Sequence, residues 1–194
     1  MLSFEIRELL LQLGRGMLAE RSNDALTTAQ WFALRFFSRA NLFSRTLSEL
    51  AAYQATTRGT ASQTIKSLEE LGYIKRERST HDGRSSILSV TDKARALMDE
   101  DPLASIFKEI DALDEQDQKF LRNILRQLVG QLGSESRKTV GTCGDCVFLL
   151  MRRLSSRSHG TKSDFFCQCN EMPVNEADLK LLCTSFRAKY ETRA

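Results

Sequence analysis

Five cysteines are the residues of this chain whose type and spacing could carry chemistry, and all of them lie after residue 140. They form a C-x2-C pair, a C-x-C pair and a single thiol: Cys143, Cys146, Cys167, Cys169 and Cys183. An odd number confined to one end of a chain does not suit a disulfide framework. Paired thiols at these spacings in a reducing compartment are typical of metal ligands, so the sequence predicts a metal site in this segment.

The apolar neighbours of the thiols favour an iron–sulfur cluster, because the C-x2-C pair precedes the run VFLLM and Cys167 follows two phenylalanines. The expected ligands are Cys143, Cys146, Cys169 and either Cys167 or Cys183. Zinc is the close alternative, since CGDC resembles a zinc knuckle and four thiolates would fold a segment too small for a core. A labile cluster supplies a regulator with an input, which favours iron–sulfur. A disulfide switch without metal is the third alternative.

The single thiol and the histidine of this segment have further interpretations. Cys183 fits one face of a helix expected from about Asn175, on which Leu179, Leu182 and Phe186 would lie beside it. There it would be a small buried hydrophobe, and this interpretation and the ligand remain equally open. His159 lies in a loop rich in Ser, Arg and Gly, where an exposed histidine is more often solvated than a ligand.

The residues before this segment are expected to form mostly helices. Capping patterns place helix starts at Thr27 and Thr46, and Asp114 should cap a last helix. Apolar residues repeat at helical spacing near both ends of residues 1–133, which predicts two stripes that a second copy of the chain would bury. The N-terminal stripe is Ile6, Leu9, Leu10, Leu13 and Met17, and the later one is Phe120, Leu121, Ile124, Leu125, Leu128 and Val129.

A helix over about residues 58–71, ended by Gly72, divides into two faces. Ala61, Ile65 and Leu68 should point inward. The opposite face carries short or hydrogen-bonding residues: Arg58, Gly59, Ser62, Gln63 and Lys66. Such a face lets a helix approach the bases and phosphates of a DNA major groove.

A charged hairpin follows that helix. Residues 73–79 and 86–90 are the predicted strands, and Asp82-Gly83 is the dipeptide that a tight turn favours. Its DNA-contact candidates are Lys75, Arg78, His81, Asp82 and Arg84, with Asp82 placed to orient the Arg84 guanidinium in a minor groove. A short helix, a second helix and a basic hairpin make the order of a winged helix-turn-helix.

The run TIKSLEELGYIKRERSTHDGRSSILSVTDKARAL resembles the MarR family of dimeric bacterial transcription regulators. The motif positions are Leu68, Glu69, Gly72, Asp82, Arg84, Leu88, Val90 and Thr91. The resemblance covers about residues 4–132. It implies a winged-helix body, a homodimer built from the terminal helices, and binding to double-stranded DNA at a pseudo-palindromic operator. It also implies repression that a small molecule or an oxidant releases.

The net charge, the apolar content and the missing motifs of the chain limit which classes of protein it can belong to. The net charge is only +3 and 41% of residues are apolar, so any basic surface must be local and the chain can fold. No phosphate-binding glycine loop or nucleophile elbow occurs, which argues against an enzyme, although a thiol redox protein is a further alternative. A signal peptide and a membrane span are not expected, so we predict a cytoplasmic protein.

The predicted fold class is mainly α with a small β-wing (α+β). The expected domains are a winged helix-turn-helix with dimerisation helices over residues 1–133 and a cysteine-containing extension over 134–194. The predicted function is a DNA-binding transcription regulator, a repressor, whose operator binding responds to the metal centre or redox state of the extension. The alternative is a MarR-type regulator with a structural zinc site and a small-molecule effector.

Overall fold

The computed structural model describes residues 1–18, 26–78, 86–131, 140–151 and 164–189. His81, Asp82, Arg84 and His159 lie outside the described residues. Within them, seven α-helices occupy α1 (Leu2–Leu18), α2 (Thr28–Arg39), α3 (Leu47–Tyr53), α4 (Arg58–Glu70), α5 (Asp92–Met98), α6 (Ala104–Ala112) and α7 (Glu115–Gln131). No described helix is long and apolar enough to cross a membrane.

Side-chain caps set most of the helix starts, and the three that the sequence predicts, at Thr27, Thr46 and Asp114, are confirmed. Thr27 and Gln30 form a reciprocal capping box at α2. Thr46 and Thr57 accept hydrogen bonds from backbone N–H groups at the starts of α3 and α4. Asp114 accepts the Asp117 N–H at 2.8 Å at the start of α7. Each cap satisfies a donor that a helix start otherwise leaves without a partner.

The main core lies where α2, α4 and a two-stranded hairpin meet. The strands β1 (Ile74–Arg78) and β2 (Ser86–Val90) pair antiparallel, with Ile74 opposite Val90. The hairpin of residues 74–90 is called the wing below. Fully buried side chains include Trp31, Leu34, Phe36, Phe37, Leu50, Ile65, Leu68 and Leu88. The expected fold class, mainly helical with a small β-wing, is confirmed.

The C-terminal part forms a small second core. Residues 140–151 and 164–189, called the cysteine lobe, contain β3 (Gly141–Thr142), β4 (Leu149–Met151), β5 (Phe165–Cys167), β6 (Met172–Val174) and β7 (Leu182–Cys183). β4, β5 and β6 form one antiparallel sheet, and β3 pairs with β7. The buried members of this core are Cys143, Cys146, Cys167, Val174, Cys183 and Phe186.

The prediction of a helix from about Asn175 is wrong. A 3-10 helix covers only Glu176–Lys180, and the chain then extends into β7. The apolar spacing of Leu179, Leu182 and Phe186 fits a helix, but pairing of Leu182 with Thr142 gives the backbone its hydrogen bonds in an extended form. Tertiary pairing therefore overrides the local pattern.

Three helices bury none of their side chains in one copy of the chain: α1, α6 and α7. Their apolar residues face outward, including Phe4, Leu9 and Leu11 of α1 and Phe120 and Val129 of α7, which are 52–66% exposed. Apolar surface of this extent on helices that carry no core is typical of a protein–protein interface.

Candidate nucleic-acid interface and cysteine site

The polar face of α4 is fully accessible. Ala61, Ile65 and Leu68 are each 0% exposed and anchor the helix to the core. The exposed side holds Arg58, Gly59, Ser62, Gln63 and Lys66, as the sequence predicts. The predicted two-faced character of this helix is confirmed.

The turn before α4 and the helix end after it fix its direction. Ala55 adopts a positive φ of 50° in the turn between α3 and α4. Gly72, with φ of 75°, ends α4, and its carbonyl accepts the Thr91 hydroxyl at 2.8 Å. This bond joins the end of α4 to the end of the wing, so the exposed helix face and the wing are held as one unit.

The charged side chains of the wing include both paired and projecting groups. Lys75 contacts Glu77 at 2.7 Å, and Arg76 lies bidentate on Glu69 of α4, with its Nε 3.0 Å from one carboxylate oxygen. Lys75 and Arg78 are exposed. The ion pair between Arg76 and Glu69 fixes the wing to α4 and is a contact that the sequence pattern did not reveal.

The cysteine lobe brings all five thiols to one place. Cys143, Cys146, Cys167, Cys169 and Cys183 line a single cavity of about 10 Å³, with Phe148, Leu149, Asn170 and Ser185. Cys169 is exposed, whereas the other four are buried. All five are free of disulfides. As the side chains stand, no three Cys, His, Asp or Glu residues of the described part of the chain surround a position for a metal ion.

Hydrogen bonding within the cavity moves the pKa values of two thiols, Cys143 and Cys183, in opposite directions. A hydrogen bond from the Cys143 thiol, with lesser bonds from neighbouring groups, lowers the pKa of Cys183, and the same bond together with burial raises the pKa of Cys143. Asn41 donates its side-chain N–H to Cys143 Sγ at 3.4 Å, and Asn170 donates to Cys167 Sγ at 3.3 Å. Donors that point at sulfur stabilise its negative charge.

The lobe is joined to the winged helix through the segment that links α2 to α3. Asn41 N–H donates to the Leu182 carbonyl at 2.8 Å. Thr184 contacts the buried Ser44 hydroxyl through both its backbone N–H and its own hydroxyl, each at 3.1 Å. Asn41 is 1% and Ser44 0% exposed, so these bonds are screened from water.

The lobe also contacts α7. Asp145, inside the C-x2-C pair, lies 3.3 Å from the guanidinium groups of both Arg122 and Arg126. The Arg126 guanidinium stacks 5.2 Å from the ring of Phe186. Sequence reasoning missed Asn41, Ser44 and Asp145, because their roles depend on partners about 20 to 140 residues away along the chain.

A helix with an exposed polar face followed by a two-stranded wing defines the class of this protein: it contains a winged helix-turn-helix. The MarR family model matches residues 26–85. This part of the chain is therefore similar to the MarR family, which confirms the resemblance found in the sequence.

Solved structures of other proteins are similar to part of this chain, and the first of the two below supports the fold. S. aureus MepR in its DNA-binding conformation matches with a TM-score of 0.53 and 19% identity, over 69% of this chain and 99% of that one. A MarR transcriptional regulator from Methanosarcina mazei Go1 matches with a TM-score of 0.46 and 21% identity, over 67% and 95% of the two chains. No curated protein matches the sequence.

Proposed function

We propose that the protein is a homodimeric transcription regulator, a repressor, that binds a pseudo-palindromic operator in double-stranded DNA through α4 and the wing. The observation that carries this proposal is the exposed polar face of α4, fixed beside the wing by the Arg76–Glu69 ion pair and the Thr91 bond. A rigid helix of this kind suits a major groove. One of the structural neighbours is S. aureus MepR in complex with DNA.

The dimer follows from the outward apolar faces of α1 and α7. Pairing them across a two-fold axis would bury both faces and would repeat α4 on the same side of the assembly. Two recognition helices about one DNA turn apart would then read two half-sites. The proposed DNA contacts are Arg58, Ser62, Gln63 and Lys66 of α4 and Lys75, Arg78, His81, Asp82 and Arg84 of the wing.

DNA binding is tested with an operator duplex selected from genomic DNA by the purified protein. Lys66→Ala and Arg84→Ala should each weaken binding by about 1–3 kcal/mol if the side chain contacts a base, or reduce the salt slope by about 1 if it contacts phosphate. Lys108→Ala, which removes an equal charge from α6, is the matched control. If all three variants bound the duplex as tightly as the parent protein, α4 and the wing would not be the DNA-contacting elements.

We further propose that the cysteine lobe controls DNA affinity through a metal centre or the redox state of its thiols. The supporting observation is the position of the lobe on residues 40–46. The Arg45 carbonyl in this segment accepts the Leu88 N–H of the wing at 2.8 Å, and Thr46 caps α3. A change in the lobe that moves Asn41 or Ser44 therefore acts on neighbours of the wing and of the helix pair.

The test of this control compares DNA affinity of anaerobically purified protein before and after metal chelation and after air exposure. A change of about 5- to 150-fold is the usual range for coupled sites. Asn41→Ala removes the bond to Cys143 and should shrink that change, while Asn123→Ala on α7 should leave it intact. Affinity that does not respond to chelation or air would refute control by the lobe.

The small-molecule effector implied by the family stays a prediction. An open groove of about 1550 Å³ lies between α2, α7 and the lobe, with Phe32, Tyr53 and Leu125 among its lining residues. Its lining mixes apolar and aromatic side chains with polar and charged ones, including Gln118, Arg122 and Asp145.

A further inference from the structure

We propose that the cysteine lobe binds a single metal ion through four thiolates, those of Cys143, Cys146, Cys167 and Cys183, with zinc as the ion and Cys169 outside the ligand set. This inference deepens the proposed function and rests on it, because it specifies the centre through which the lobe would act. It also differs from the ligand set favoured by sequence spacing, which included Cys169.

Burial separates four thiols from the fifth. Cys143, Cys146, Cys167 and Cys183 are 5%, 6%, 9% and 4% exposed, whereas Cys169 is exposed. Four thiolates are the number that closes a tetrahedral structural zinc site. Sequence spacing alone could not separate the two members of the C-x-C pair, because their difference arises where β5 ends at Cys167 and the chain turns at Cys169.

The size of the cavity favours one ion over a cluster. Its volume of about 10 Å³ is close to the space that one water molecule occupies. A single metal ion fits such a space. A cluster of several iron and sulfide ions needs a larger cavity and would have to push apart the packed neighbours Phe148 and Leu149.

The backbone of the C-x2-C pair turns both thiols toward the same cavity. Cys146 N–H donates to the Cys143 carbonyl at 3.1 Å, and Leu149 N–H donates to the Cys146 carbonyl at 3.2 Å. The amides of Asn41 and Asn170 then donate to the sulfurs of Cys143 and Cys167. Such donors disperse the negative charge that four thiolates bring to one ion and hold the ligands in place.

The lobe has little else to fold around. Apart from the four thiols, the buried hydrophobic residues of the described lobe are Val174 and Phe186, with a few partly buried ones such as Phe148, Leu149 and Phe165 packed against them. Its strands are two or three residues long. A core this small rarely stabilises a domain, and structural metal ions commonly supply the missing free energy. Bringing the four sulfurs onto one ion requires the side chains to turn inward, since no three of them meet around one position as they stand.

The first test is the metal content of the full chain purified without oxygen. We expect one zinc per chain, no acid-labile sulfide and no visible absorption. Replacement of zinc by Co²⁺ should give the intense thiolate-to-cobalt absorption of a tetrahedral four-sulfur site. Serine variants of the four buried cysteines should lose the metal, while Cys169→Ser, the matched control, should retain it.

A second measurement avoids variants that fail to fold. Alkylation of the unmodified protein, followed by mass spectrometry, should label Cys169 quickly and the four ligands only after a chelator removes the metal. Labile sulfide with visible absorption would overturn the single ion in favour of a cluster. Loss of metal from Cys169→Ser, or a protein that stays metal-free after anaerobic zinc addition, would also overturn the inference.

The proposed zinc site and the proposed DNA binding can be refuted independently of each other. A metal-free protein that still binds its selected duplex with a Lys66-dependent affinity would refute the zinc site and leave DNA binding intact. A zinc protein with four protected thiols that binds no duplex would do the reverse.

Discussion

Replacing Asp101 by alanine should destabilise the winged-helix body by about 3–5 kcal/mol, the usual cost of removing one partner from a buried ion pair. Asp101 accepts two hydrogen bonds from Arg35, at 2.8 and 2.7 Å, and one from the Leu103 N–H at 2.8 Å. Both charged side chains are 6% exposed. The substitution removes the carboxylate that accepts two hydrogen bonds from the buried Arg35 guanidinium, and the loss of this pairing in a buried place dominates the cost.

This loss is large compared with the total unfolding free energy of a domain, which is about 5–15 kcal/mol. Urea unfolding followed by circular dichroism measures it, at fixed protomer concentration because the stability of a dimer depends on that concentration. Asp99→Ala, an exposed carboxylate two residues away, should change stability by less than about 0.5 kcal/mol. The double variant Arg35→Met with Asp101→Leu should recover most of the loss, since it replaces both charges of the buried pair by apolar side chains.

The pH dependence follows from the same contacts. Burial alone would raise the pKa of Asp101, but the bonds from Arg35 and Leu103 and the nearby arginine charges outweigh it and hold the pKa below the ordinary value of 3.8. A carboxyl whose pKa is lowered in the folded state contributes stability that is fully present above its ordinary pKa of 3.8. This stability is lost as the pH falls through the lower folded-state pKa. The difference in unfolding free energy between the parent protein and Asp101→Ala should therefore become smaller at acid pH. A loss below about 1 kcal/mol at neutral pH would refute the reasoning.

Three further results are expected. Gly72→Ala should cost about 1–2 kcal/mol in urea unfolding, because the φ of 75° places alanine in the left-handed region, and Gly72→Asn should cost less; equal costs would contradict this. Gly141→Ala would place its Cβ 2.6 Å from the Phe186 ring, so it should destabilise the lobe by about 1–3 kcal/mol and speed its proteolysis. Gly144→Ala, with its nearest atom at 3.6 Å, is the control, and similar proteolysis of both would contradict the packing argument. Thr91→Val should cost at least about 1 kcal/mol in thermal unfolding, because it removes both the cap of α5 and the hydroxyl bond to the Gly72 carbonyl, and no change would refute both roles.

The sequence by itself determined the winged helix. Its signals are local: Thr27 and Gln30 cap α2 within one turn, and the inward residues of α4 repeat at helical spacing. The wing strands 74–78 and 86–90 are close neighbours in the chain, so their residue types and the short connection predict their pairing. These features depend only on residues that are close along the chain. The spacing of apolar residues and the capping residues were therefore enough to predict them.

The tertiary structure decided the cysteine lobe and its attachment. Leu182 and Cys183 pair with Thr142 and Gly141 across about forty residues, and this pairing replaced the helix that the local spacing predicts. The burial of four thiols and the exposure of Cys169 depend on which way β5 and the following turn face the cavity. The bond from Asn41 to Cys143 joins residues 102 positions apart. Contacts of this range arise from the packing of whole elements, and no residue pattern along the chain encodes them locally.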